Sequence, residues 1–284
     1  MSMNSSTEIS QEPSIMKPVS SISSFVFNAG FLQGTFSDTT LIIKGETYHL
    51  HALFLGRSPV LLQKLIENNP KGDVHYTIEV ETEDPYVTKE SCLFVLSTLY
   101  CDSPRIPAEV NVCSVLAVSD LLGLDTLAFE AASLIEKSIR PETMESVIRF
   151  LDPNFEGLER LKMGMYPRFT SGLFNKAIQV MYNTLVSNWN TEYARLLCNL
   201  PFEVIKDLLE SDKLTVGASS MARYKLANEI VKMRASFRKQ NHIEGKGDES
   251  VVLAFDEGSR GIQLVHIAPG AESRRKIWKA TSVR

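Results

Sequence analysis

The run from Gly34 to Glu67, GTFSDTTLIIKGETYHLHALFLGRSPVLLQKLIE, constrains the fold more than any other stretch of the chain. Thr39–Ile43 is rich in β-branched residues, which suit a pleated, half-buried surface. Lys44-Gly45-Glu46 supplies the glycine that a tight hairpin needs, and Thr47–Leu50 returns as the partner strand. Arg57-Ser58-Pro59 then opens a helix. Ser58 can accept from the free N–H groups of the first turn, and Pro59 stands where its missing N–H leaves nothing unsatisfied. Behind it Val60, Leu61, Leu62, Leu65 and Ile66 spread a broad apolar surface. Two strands and a helix with little slack between them describe a module that packs and docks. None of these residues forms a catalytic motif.

The rest of the chain adds no catalytic chemistry. His49 and His51 would place two imidazoles on one strand face, half of a metal site, but no further ligand lies at a matching spacing. The expectation is a structural histidine at 51 and no metal or other cofactor. There is no G-x-S-x-G elbow, no G-x-x-x-x-G-K-[ST] phosphate loop and no G-x-G-x-x-G. Glu81 and Glu83 sit in a polar stretch that reads as solvated. The chain is therefore expected not to be an enzyme.

A net charge of −4 over 284 residues provides no basic field to attract nucleic acid. Arg274, Arg275, Lys276, Lys279 and Arg284, with Trp278 among them, could hold phosphate or stack on RNA, but such clusters are common in solvated tails. Nucleic acid is not an expected partner. The cysteines at 92, 101, 113 and 198 form no C-x-x-C pair and read as buried free thiols in a reducing compartment. No apolar run approaches the ~20 residues of a membrane span. No basic segment followed by an apolar one opens the chain, so cytosol or nucleus is expected.

Residues 1–19 are polar and serine-rich and read as a disordered tail. Ile22, Phe25, Val26, Ala29 and Leu32 then recur at helical spacing. Tyr76–Val80 alternates as a third strand. Lys89–Tyr100 is a helix apolar on several sides, and Asn111–Leu122 and Thr126–Ile139 form a helical pair broken at Gly123.

The order of these residues resembles the BTB/POZ domain over residues 20–140. The matching positions are Gly34, Ser37-Asp38, Leu41–Ile43, His51, Leu53, Leu55 and Arg57-Ser58-Pro59, while Leu99–Pro107 occupies the place of the family's Y-T-G turn without its glycine. The resemblance implies an α+β fold in which a small sheet packs with helices. It also implies a homodimer built on the N-terminal helix through Ile22, Phe25, Val26, Ala29 and Leu32. Members that recruit cullin-3 carry a hydrophobic-x-acidic motif at the end of the helix after R-S-P, and Leu65-Ile66-Glu67 fits it. Glu67 there opposes the helix dipole, which a purely structural helix has mild reason to avoid. Repressor-type members join the first-strand aspartate to a cation directly after the histidine. Asp38 matches the first and Ala52 cannot supply the second, so Asp38 is expected to bond to backbone N–H groups.

Residues 141–243 read as all-helical. They resemble the region that follows the domain in many fungal BTB proteins and, more distantly, the BACK domain, although Ser219-Ser220 departs from the BACK pattern. Met144 and Val147, with Ile148 and Phe150, are the nearest candidates to enlarge a cullin contact. Residues 244–284 read as a β-hairpin, Val251–Phe255 with Ile262–Ile267, and a basic tail. The resemblance thus implies a fungal-type substrate adaptor of a cullin-3 RING ubiquitin ligase, bridging the cullin-3 N-terminal domain and a target protein. The alternative is a homodimeric scaffold, or a transcription- or chromatin-associated protein, with no ligase role.

Overall fold

The computed structural model describes residues 21–68, 75–101, 105–152, 166–188, 194–216, 220–242, 248–253 and 261–267. The N-terminal tail, the centre of the Leu99–Pro107 turn, Ser219 and the basic C-terminal residues lie outside the described residues. The chain divides into two compact units. One takes the described residues up to Glu83 together with Lys89–Pro107, and the other takes Asp84–Thr88 and the chain from Ala108 onward.

The first unit opens with α1, Ile22–Phe25, whose first turn is capped by Ser21 Oγ accepting from the Ser24 N–H at 3.2 Å. The regular α-helix expected from the apolar spacing lasts only that long. Val26–Leu32 continues it as a wider π-helix. Phe27 and Phe31 hold this segment in place. Their rings lie 5.5 Å apart, and Phe31 tilts against Tyr100 at 5.2 Å.

Strands β1, Thr39–Ile43, and β2, Glu46–Leu50, form the expected hairpin, with Thr39 opposite Leu50. Its turn places Lys44 at φ 51° and Gly45 at φ 81°, the double left-handed conformation that matches strand twist. After α2, Ala52–Leu55, and α3, Pro59–Asn68, the chain returns as β3, Tyr76–Val80, parallel to β1 with Thr39 opposite Tyr76. The sheet order is β2-β1-β3. Ser58 is buried and caps α3 as its sequence suggests, accepting from the Leu61 N–H at 3.1 Å. Leu41, Ile43, Leu50, Leu55, Leu61 and Ile78 close the core with Val95 and Leu96 of α4, Lys89–Thr98.

The second unit is mostly helical. Helix α5, Val112–Leu121, is capped by Asn111 and separated from α6, Asp125–Ser138, by Gly123 at φ 67°. There follow α7 (Pro141–Leu151), α8 (Pro167–Asn188), α9 (Ala194–Asn199), α10 (Phe202–Glu210) and α11 (Ser220–Gln240). A two-stranded antiparallel sheet closes the described chain: β4, Asp248–Val252, and β5, Gln263–Ile267, with Asp248 opposite Ile267. Strand β4 begins upstream of the Val251 start that apolar patterning suggests, because Glu249 is drawn inward. Its carboxylate accepts from Arg234 Nε at 2.8 Å and Nη2 at 2.9 Å, and also from Arg238. Arg234 further donates to the carbonyls of Leu197 and Leu200.

The run Asp84–Thr88 is built into this helical unit. Asp84 accepts from the Tyr166 hydroxyl and from the Tyr86 N–H. Phe150 stacks on Tyr166 and meets Tyr86 edge-on, at 4.7 Å in both cases. The chain as a whole is α+β, largely helical, with a small mixed sheet and a C-terminal hairpin. Among the described residues no helix is long and apolar enough to cross a membrane. Cys92 and Cys198 are buried free thiols as expected, whereas Cys101 and Cys113 are only half-buried.

Candidate functional site

The turn into β1 is organised by His51. Its Nε2 lies 3.0 Å from the Thr35 carbonyl, its Nδ1 lies 3.0 Å from the Tyr100 hydroxyl, and its backbone N–H donates to that same hydroxyl at 3.1 Å. A carbonyl only accepts, so the network is complete when Nε2 carries the hydrogen and Nδ1 accepts from Tyr100. Burial pushes the Tyr100 phenol up to about 12, which keeps its proton available. Both ring nitrogens are thus engaged within the fold and neither faces a ligand. His49 is exposed, and no group of three potential metal ligands occurs among the described residues. Gly34 holds this turn at φ 65°, and a Cβ added there would stand 3.3 Å from the His49 Cβ, a crowded contact.

Asp38 accepts from the Ala52 N–H at 2.7 Å and from the Thr39 hydroxyl at 2.9 Å. It therefore bonds to backbone, as expected for a chain with no cation at position 52. Arg57 reaches across to the carbonyls of Leu99 at 2.6 Å and Cys101 at 3.1 Å, tying the start of α3 to the end of α4.

Helix α3 carries the most distinctive surface of this unit, in a different register from the one its sequence suggests. Leu65 is only 7 % exposed and packs inward with Leu61. It cannot enter a partner's pocket without opening the core, so it leaves the docking set. Leu62 (43 % exposed) and Ile66 (68 % exposed), one turn apart, form the outward apolar pair. Glu67 is exposed beside them and accepts from Gln63 Nε2 at 2.7 Å. Met144 and Val147 are likewise corrected. Both are buried, as are Ile148 and Phe150, because the inner face of α7 packs within the helical unit.

A second apolar surface lies on the N-terminal helix. Ile22, Phe25 and Leu32 are exposed, and Val26 and Ala29 are half-buried. Nearby in sequence, Phe36 is 87 % exposed at φ 62°, a left-handed conformation that a bulky side chain adopts only under strain. Sequence spacing singled out the outward stripe and missed Phe27 and Phe31, the aromatic residues that hold the helix down.

The family model for the BTB/POZ domain matches residues 27–139. The chain is also similar to human Germ cell-less protein-like 1, 24 % identical over 208 residues, which is 73 % of this chain and 37 % of that protein. The mouse protein of the same name is 24 % identical over 208 residues (73 % and 36 %), and the Drosophila melanogaster Protein germ cell-less 26 % identical over 119 residues (42 % and 21 %). These relatives are animal proteins, where the sequence had suggested a fungal character. The chain spans little more than a third of the length of the curated human relative it matches. With the three-stranded sheet, the R-S-P helix and the family match all falling on one segment, residues 27–139 are a BTB/POZ domain, a protein-interaction module.

Proposed function

We propose that this protein is an adaptor. Its BTB/POZ domain recruits a ubiquitin ligase of the cullin-3 RING class, and its helical region holds the protein to be modified. The outer face of α3 carries this reading: Leu62 and Ile66 project one turn apart with Glu67 beside them. An exposed apolar pair next to a carboxylate suits a groove on a partner, where the leucine and isoleucine supply burial and the acid sets orientation. The mechanism is positional. Tethering target and ligase raises the local concentration of one beside the other, with no bond chemistry in this chain.

The decisive variant is Leu62→Asp/Ile66→Asp. Anchors of this kind contribute about 2 kcal/mol each, so co-purification with the cullin-3 N-terminal domain should fall by on the order of a hundredfold or more. The far-ultraviolet circular dichroism should not change. Undiminished capture would remove α3 from the interface.

The exposed Ile22, Phe25 and Leu32 support a homodimer that presents two targets or two ligase arms. Phe25→Asp is expected to halve the mass measured by light scattering, and an unchanged mass counts against this helix. A wild-type dimer with no affinity for the cullin would favour the scaffold reading instead.

A further inference from the structure

Helix α8 carries Gly172, Asn175, Gln179 and Tyr182 at spacings of three and four, so all four share one face. That face lines a cleft of about 670 Å³ within the helical unit, floored by the buried Phe174, Val204 and Leu208. Asn175 and Gln179 are exposed, and their carboxamides bond to nothing among the described residues.

We propose that this cleft binds an extended peptide segment of the target protein. One turn of α-helix separates the two carboxamides by about 6 Å along the axis, close to the ~6.6 Å two-residue repeat of an extended chain. Each carboxamide offers one donor edge and one acceptor edge, so the pair can bond successive peptide groups that face the same way. The side chains between those groups then turn toward the apolar floor. This is recognition of main chain by polar groups and of alternate side chains by pockets.

The charges narrow the occupant. Glu136 and Lys176 face each other at 3.9 Å, while Asp207 and Lys213 on the other wall have no ion-pair partner among the described residues. A balanced wall does not select a phosphate-bearing ligand. It suits a peptide whose apolar anchor is flanked by one acidic and one basic residue. The inference rests on the adaptor reading only in assigning the target to the helical region; it does not need the cullin contact.

Gly172 provides the test. A Cβ placed there meets no atom within 4 Å, so a side chain can start at this position without a Cβ clash. Gly172→Leu adds bulk at the cleft lining, and both Gly172→Leu and Gly172→Ala should favour the helix. The probe is a phage-displayed library of random short peptides selected on the full chain, followed by fluorescence anisotropy with the synthetic consensus peptide. The enriched sequences should share an apolar residue between opposite charges. Gly172→Leu, and separately Asn175→Ala/Gln179→Ala, should weaken the consensus peptide by about tenfold or more, whereas Gly172→Ala should bind as wild type. Absence of any enriched sequence, or equal affinity for Gly172→Leu and Gly172→Ala, overturns the proposal. Cullin-3 co-purification on the same variants separates the two readings. Peptide binding without cullin leaves the cleft standing and removes the ligase role, and cullin binding without peptide does the reverse.

Discussion

An Arg234→Met chain should lose about 3–5 kcal/mol of stability, because it leaves the carboxylate of Glu249 inside the protein without its principal partner. Arg234 is 1 % exposed and the Glu249 side chain 2 %. The guanidinium forks onto both carboxylate oxygens and also donates to the carbonyls that end α9, so α9, α11 and β4 meet at one side chain. Arg234→Lys should rescue little, since an ammonium lacks the planar fork. Removing both charges in Arg234→Met/Glu249→Leu should recover only part of the loss, because Leu197 and Leu200 still lack their donor. Urea denaturation measures all three, and a loss below about 1 kcal/mol for Arg234→Met would refute the assignment.

The same cluster sets an acid limit. Burial alone pushes the Glu249 carboxyl up, but the hydrogen bonds and charge of Arg234, then of Arg238, outweigh it and hold the group below its ordinary value of 4.5. A carboxyl depressed in the folded state stabilises fully above its unfolded value, and that contribution is lost as pH falls through the lower folded value. The urea midpoint should therefore drop as the medium is acidified below about 4.5, and Glu249→Gln should flatten that drop.

Phe150→Ala should cost about 3–5 kcal/mol, in the range of emptied aromatic core sites. Phe150 is fully buried between Tyr166 and Tyr86, and the Tyr166 phenol, pushed far up by burial and then by Asp84, stays a donor to that carboxylate. Phe150→Leu should retain the fold at a smaller cost. Cullin-3 co-purification at a temperature where Phe150→Leu is folded should match wild type, since a side chain with no exposed surface cannot be a contact. Reduced capture by folded Phe150→Leu would mean that α7 opens on binding.

The two outcomes follow from what a linear pattern encodes. The hairpin, the Ser58 cap and the Gly123 break were legible because each depends on residues near in sequence or on one short turn. The bonding of Asp38 to backbone followed from the lack of a cation at position 52. The α3 register was not. Val60, Leu61, Leu62, Leu65 and Ile66 wrap too wide an arc for periodicity to choose, and only packing against the sheet decides that Leu61 and Leu65 go in while Leu62 and Ile66 stay out. On α7 the outcome was the same as for Leu65: Met144 and Val147, expected to enlarge a cullin contact, are buried. Nothing in the sequence singled out Arg234, because its partner arrives from a strand beyond the helix end. Asp84 drew no notice beside Glu81 and Glu83, because its partner Tyr166 stands 82 residues away.

That last contact bears on how the protein can be cut. The recognisable domain ends at residue 139, yet Asp84 and Tyr86, well inside it, are completed by Phe150 and Tyr166. A fragment excised at the domain's apparent end keeps the carboxylate and discards the hydroxyl that donates to it, and it leaves an aromatic ring facing water. The smallest piece that behaves like the intact protein must run past Tyr166, so truncation by family boundary would sever a unit that folding treats as one.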